Sequence, residues 1–302
     1  MAPYGGVTPA IKFVLMAMEQ GASHFYQSDI KAFFTKIPTQ NVVDIVRQET
    51  RDNELTDLFS LGLEVNLANK EELLSYAKIF PSKGIGVAQG SSLSTFAGNV
   101  LLYDLDHDLN SNSVSAVRYI DDLFLLSSSE TALNEAVSRA KLKLSDFGLS
   151  LYSPVAGSDK AAQGECRNSF NFLGCTIQPN RCVPSKVSID NILTEISDML
   201  SASKRGINAF VVEGKLFDPR FARSATIHKI GKKLFGWERS FSFCTDAQAF
   251  CHLDATITAK ILDYENWVRR KILGNTPDLA TRVLGIPSTE ELFESDKEKR
   301  VK

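Results

Sequence analysis

Apolar and polar positions along the chain fall into two regimes. Up to about residue 186, short β-prone runs are interleaved with stretches of helical spacing; beyond it, helical spacing stands alone. Residues 10–18 crowd apolar side chains densely enough for a largely buried helix. Residues 24–28 form a β-prone run that ends at Asp29. Pro38-Thr39-Gln40-Asn41 opens a helix carrying Val42, Val43, Ile45 and Val46. Residues 54–67 and 70–79 read as further helices, 81–86 as a glycine-punctuated turn, and 91–109 as one more helix. Two apolar runs, 117–120 and 123–126, then flank Asp121-Asp122. That pattern predicts a β-hairpin with the acidic pair in its turn. A helix over 131–147 is stopped by Gly148, and 170–177 reads as short strands around Gly174.

Helix and strand alternate to this point, so a sheet covered on one face is expected. After Pro184 the segments 189–202, 221–237 and 246–273 carry helical spacing; Phe250, Leu253, Ile257, Ile261, Tyr264 and Trp267 recur every three or four residues in the last. The fold class is therefore α+β. The expected organisation is a mixed domain over 1–186, a helical domain over 187–287 and a frayed charged tail over 288–302.

Composition narrows the function without deciding it. With 43% hydrophobic and 23% charged residues, the chain has the balance of a globular protein, which excludes collagen-like and wholly disordered readings. The longest apolar stretch, residues 13–18, lies between Lys12 and Glu19, far short of the roughly 20 residues that span a bilayer. With no secretory signal pattern either, a cytoplasmic location is expected. Net charge is −2, so any nucleic-acid contact must come from local concentration. Residues 203–239 hold nine basic side chains against three acidic ones, and Lys204, Arg205, Lys229, Lys232 and Lys233 in this stretch are candidates for a phosphate backbone. The five cysteines include no C-x-x-C pair. Neither structural zinc nor a disulfide framework is expected, only reduced and mostly buried thiols.

Candidate chemistry lies in the carboxylates. Adjacent acids on an otherwise apolar hairpin repel each other and raise each other's pKa unless a cation neutralises them. Asp29 is a third such group, at the end of its own strand. If the two strands are neighbours, three carboxylates converge. Hard oxygen donors with no histidine or cysteine favour Mg²⁺, or Mn²⁺, over zinc.

The sequence around these residues resembles a known family. Tyr119-Ile120-Asp121-Asp122 is similar to the YxDD motif of reverse transcriptases, Asp29-Ile30-Lys31-Ala32-Phe33-Phe34 to their first aspartate motif, and Gln89-Gly90-Ser91-Ser92-Leu93-Ser94 to their QG motif. Phe172-Leu173-Gly174 resembles the hairpin that grips the primer. The four occur in family order, and Gly236-Trp237, Leu253-Asp254 and Trp267 resemble the thumb of bacterial group II intron-like members.

The resemblance implies a right-hand polymerase palm, with reduced fingers, followed by an all-α thumb. It implies that Asp29, Asp121 and Asp122, with the Ile30 carbonyl, hold two Mg²⁺ ions. Lys31 and the amides of Ala32 and Phe33 would face the triphosphate. Phe34 would be the gate that excludes a 2′-hydroxyl, while Gln89 and Gly90 would lie against nucleotide and template. Tyr119, Phe172, Leu173 and Gly174 would contact the primer, and Lys160 would be the acid for the leaving pyrophosphate. The implied partners are an RNA template, a DNA or RNA primer and dNTPs.

There are departures from the family pattern. Ile120 stands where most bacterial members have Ala, and Ala88, Ser92 and Thr95 where they have Pro. Only 28 residues precede Asp29, and the family's basic fingers strands are not among them, so either a second chain or an upstream segment is expected to supply them, or the enzyme manages without. With no paired-cysteine nuclease module after the thumb, a retron-like or phage-defence enzyme fits best. The alternatives are template-independent or protein-primed synthesis by a defence-associated relative, and a non-enzymatic assembly subunit that binds nucleic acid.

Overall fold

A computed structural model describes residues 6–64, 70–73, 84–110, 113–290 and 292–293. The chain divides into two compact units, residues 1–170 and 171–302.

The first unit is built on a four-stranded antiparallel sheet, in the order β2-β3-β1-β4, from β1 (His24–Asp29), β2 (Val114–Tyr119), β3 (Asp122–Ser127) and β4 (Ala161–Glu165). Its helices are α1 (Val7–Glu19), α2 (Phe33–Lys36), α3 (Thr39–Thr50), α4 (Asn53–Leu63), α5 (Lys70–Leu73), α6 (Ser92–Leu101), α7 (Tyr103–Leu109) and α8 (Glu130–Asp146). Strand β3 is buried from Leu123 to Ser127 without alternation, the mark of a strand covered on both faces. The register explains how. Tyr26, Leu123, Leu125 and Ala116 share one face and pack with Leu101, Leu105, Ala136, Ala140 and Leu144 of α6, α7 and α8. Phe25 and Phe124 share the other, where their rings stack at 5.7 Å and both meet Phe170. Helix α1 contacts β2 and β3. The expectation of a sheet covered on one face is thus corrected: the continuous run of buried side chains in β3 needs partners on both sides.

Two further differences are local. The helix expected over 91–109 is broken at Leu102 into α6 and α7. Strand β4 was not expected, because Ala161-Ala162-Gln163-Gly164-Glu165 has no β-branched or aromatic residue; its pairing with β1 makes it a strand. The remainder of the helices expected over 54–67 and 70–79, the start of the 81–86 turn and most of the 288–302 tail lie outside the described residues.

Strand β5 (Phe170–Phe172) runs across the boundary between units and joins β6 (Cys175–Gln178) and β7 (Arg181–Pro184) in a three-stranded sheet. The rest of the second unit is α9 (Lys186–Val211), α10 (Arg223–Ser240), α11 (Gln248–Ile272) and α12 (Pro277–Leu284). Ile192, Ile196, Leu200, Ile207, Ile230, Leu253, Ile257 and Tyr264 form its core, the i, i+3, i+4 stripes of three helices turned inward. Among the described residues, no helix is long and apolar enough to cross a membrane.

Candidate active site

Strands β2 and β3 are joined by Ile120 and Asp121, with Tyr119 paired to Asp122 across the hairpin. Ile120 has φ 61°, in the left-handed region. A II′ turn needs positive φ at this first central position and usually takes glycine there, so a β-branched residue costs about 1–3 kcal/mol. One main-chain and one side-chain hydrogen bond hold it. Ile30 N–H donates to the Asp121 carbonyl at 2.9 Å, and Arg118 Nη1 donates to the Ile120 carbonyl at 2.6 Å.

The same register sets Asp29, the last residue of β1, directly opposite Asp122. On the other side of β1, Asp29 N–H donates to the Lys160 carbonyl at 2.9 Å while Lys160 Nζ donates to Asp29 Oδ2 at 2.7 Å. Lys31 N–H donates to the Ser150 carbonyl at 2.8 Å. The structure therefore brings together Asp29, Ile30, Asp121, Asp122 and Lys160, which arise from three separate stretches of sequence.

Electrostatics at this edge favour a cation. Burial, helped by the neighbouring charges of Asp29 and Asp121, pushes the Asp122 carboxyl up to about 7. Asp121 is raised too, again by burial first and then by Asp29. The hydrogen bond from Lys160 to Asp29 holds the lysine's proton more firmly than usual. An all-oxygen donor set that resists ionising alone suits a hard divalent cation such as Mg²⁺. The trio is not drawn as tightly as a single-ion site: among the described residues, the group whose donor atoms all lie within 4.8 Å of one another is made of cysteines. Two ions about 4 Å apart need no such single point of convergence.

The aromatic pair after Asp29 divides by environment. Phe33 is 3% exposed and packs in the core under Gly98 of α6, whose bare backbone it needs: a Cβ there would stand 2.6 Å from the ring. Phe34 is only partly buried, with its ring 5.5 Å from that of Phe33. Ala32 starts α2 from a left-handed φ of 51°, and neither its amide nor that of Phe33 donates in the described backbone bonds. Lys31 Nζ lies over the Tyr152 ring at 5.1 Å. Gln89 and Gly90 are exposed in the turn before α6. The strand-like segment leading to them runs beside the phenylalanines, since Val87 N–H donates to the Phe34 carbonyl and Gly86 N–H to the Ile37 carbonyl, each at 2.7 Å. Tyr119 is half-buried at the end of β2.

The remaining candidates belong to the second unit. Phe172 is buried, and Leu173 and Gly174, both at positive φ, turn the chain into β6. The Gly174 carbonyl accepts from Ser185 N–H and Ser188 Oγ, each at 2.8 Å. Arg205, Lys229 and Lys232 are exposed. Lys204 lies over Trp267 and Lys233 pairs with Glu195 at 2.5 Å, so those two basic side chains are partly engaged inside the fold. Lys215, Arg220 and Arg223 pair with Glu213, Asp218 and Glu265, which reduces the local positive excess read from composition.

Sequence reasoning missed Arg118. Its guanidinium is 1% exposed and forks onto both oxygens of Asp106 at 2.8 and 2.6 Å, with a further bond to Asn99 Oδ1 at 3.3 Å. The available signal was an arginine inside an otherwise buried strand, which demands a partner.

Comparison with known proteins follows the same lines. A family model described as reverse transcriptase (RNA-dependent DNA polymerase) matches residues 8–177. No curated protein matches the sequence. Among solved structures, apo telomerase from Candida tropicalis is similar at a TM-score of 0.41 and 12% identity, covering 96% of this chain and 53% of that one. Telomerase from Candida albicans, in complex with the TWJ fragment of telomeric RNA, gives 0.39 and 13%, covering 91% and 46%. A C-terminally truncated Candida tropicalis telomerase gives 0.38 and 12%, covering 58% and 38%. The chain thus spans about half the length of these telomerases or less. Matched over more than half its residues, the chain belongs to the reverse transcriptase (RNA-dependent DNA polymerase) family.

Proposed function

We propose that the protein is an RNA-directed DNA polymerase that adds dNTPs to a primer 3′ end, with a palm over residues 1–186 and a helical thumb over 187–287. The observation that carries this is Asp29 standing opposite Asp122 in the β1–β3 register, with Asp121 beside them and Lys160 bound to Asp29.

Asp29, Asp121 and Asp122 would hold Mg²⁺ with the Ile30 carbonyl, which accepts no described backbone hydrogen bond. When bound, two such ions activate the primer hydroxyl and neutralise the leaving pyrophosphate. Lys160 carries the proton we assign to that leaving group, held within 2.7 Å of Asp29 until needed. Phe34 is the ring that collides with a 2′-hydroxyl, selecting deoxynucleotides by repulsion. Phe33, buried beneath it, sets its height. Lys31 and the amides of Ala32 and Phe33 receive the triphosphate, and Gln89 and Gly90 border nucleotide and template. Tyr119 and the turn Phe172-Leu173-Gly174 hold the primer, and Arg205, Lys229 and Lys232 offer charge to its backbone.

Primer extension on an RNA template with purified protein tests the reading. Mg²⁺-dependent synthesis, abolished in Asp121→Ala and in Asp29→Ala, is expected. Undiminished synthesis in either variant overturns it. Product that persists without RNA would instead establish template-independent synthesis.

A further inference from the structure

We propose that Cys175, Cys182 and Cys244 form a thiolate site for zinc in the second unit, separate from the carboxylate site. Among the described residues, their sulfurs are the one group of three metal-ligating atoms within 4.8 Å of one another.

The grouping is built by the fold. In the β6–β7 hairpin Cys175 pairs with Pro184 and Cys182 with Ile177, so the two cysteines stand diagonally on the same face. Cys244 arrives from the connection between α10 and α11. That connection is clamped to β7 next to the cysteines: Thr245 N–H donates to the Cys182 carbonyl at 2.9 Å, and Cys182 N–H donates to Thr245 Oγ1 at 2.9 Å. Arg181 and Asp246 add an ion pair at 2.8 Å. One main-chain bond, one bond to a hydroxyl and one ion pair thus hold the segment that follows Cys244 against β7 beside Cys182, which is the preorganisation a metal site needs. Cys175 and Cys182 are fully buried and Cys244 half-buried; Cys166 and Cys251 lie outside the group.

The donor chemistry selects the ion. Thiolates about 2.3 Å from a tetrahedral zinc stand roughly 3.8 Å apart, a spacing that the 4.8 Å limit holding all three sulfurs accommodates. Three sulfurs with no carboxylate or imidazole among them disfavour Mg²⁺ and favour zinc. On binding, each thiol that becomes a ligand gives its proton to solvent, so loading is opposed by acid. The fourth position is left to water. Cys244 also borders a cavity of about 430 Å³ lined by Trp237, Phe241 and Phe250, which gives water an approach. An ion here ties the hairpin that begins one residue after Gly174 to the junction of two long helices.

The full chain, reduced and then loaded with Zn²⁺ alone before removal of excess metal, is expected to retain one zinc per chain by elemental analysis. Cobalt loading is expected to give a sulfur-to-cobalt charge-transfer band. Half-buried Cys244 should be alkylated more slowly in the zinc-loaded protein than after zinc is stripped with a chelator, while exposed Cys251 reacts equally in both; this arm needs no variant. Cys182→Ser and Cys244→Ser should lose the zinc, and Asp121→Ala should keep it. Absence of stoichiometric zinc in the wild-type chain, equal alkylation of Cys244 with and without zinc, zinc retained in Cys244→Ser, or a disulfide between two of the three in the protein as isolated overturns the proposal.

Discussion

Arg118 and Asp106 form a bidentate ion pair beneath the acidic turn, and the same guanidinium donates to the carbonyl of Ile120. One buried side chain thus both satisfies a charge and props a strained backbone. Arg118→Ala removes the guanidinium that bridges both Asp106 oxygens and should cost about 3–5 kcal/mol. An Arg118→Met/Asp106→Leu double variant removes both charges and should regain most of that stability. Because the prop under Ile120 is still missing, its polymerase activity should stay low. Denaturant melts beside primer-extension rates test this, and full activity in the double variant would show that the turn needs no prop.

Lys160 occupies Asp29 in the structure, so it competes with any cation for that carboxylate. Lys160→Ala should therefore lower the Mg²⁺ concentration needed for half-maximal activity while reducing kcat by roughly 10²–10⁴-fold as a proton donor is lost. Magnesium titrations at saturating dNTP separate the two effects. An unchanged kcat would confine Lys160 to charge balance.

The raised carboxyl of Asp122 has a consequence for stability. Its folded pKa of about 7 lies above the ordinary 3.8, so the native state binds a proton that the unfolded chain does not. Its contribution is complete below the ordinary value and is lost as pH rises through about 7. Metal-free protein should melt at lower temperature at pH 8 than at pH 6 on this account, and added Mg²⁺ should close the gap by binding the native state. Asp122→Asn should flatten the dependence. Thermal melts in chelator and in Mg²⁺ measure all three.

Phe33 and Phe34 should separate by phenotype. Phe33→Ala empties a core position and should cost about 3–5 kcal/mol. Phe34→Ala, which removes a ring that is only partly buried against the core, should cost less stability than Phe33→Ala and raise ribonucleotide incorporation. Gly98→Ala tests the packing from below, because its Cβ would meet the Phe33 ring at 2.6 Å; a loss of about 1–3 kcal/mol is expected.

Much of this was legible in the sequence because it is carried by local pattern. Two apolar runs around Asp121-Asp122 announce a hairpin, and three- and four-residue spacing announces α9, α10 and α11. What was not legible depends on partners distant in sequence. Ala161 to Glu165 has no strand propensity and becomes β4 only by pairing with β1. The coverage of both sheet faces shows only when residues 123–127 are placed between α8 and α1. Arg118 finds Asp106, and Cys244 finds Cys182, through folding that no spacing rule encodes.

The frame around the three carboxylates is made of amide-to-carbonyl bonds: Asp29 to Lys160, Ile30 to Asp121, Lys31 to Ser150. Such joints do not depend on which side chains hang from them. Alanine can therefore replace Asp29 or Asp121 without unpicking the strand ends, so an inactive variant reports lost chemistry and not a lost scaffold.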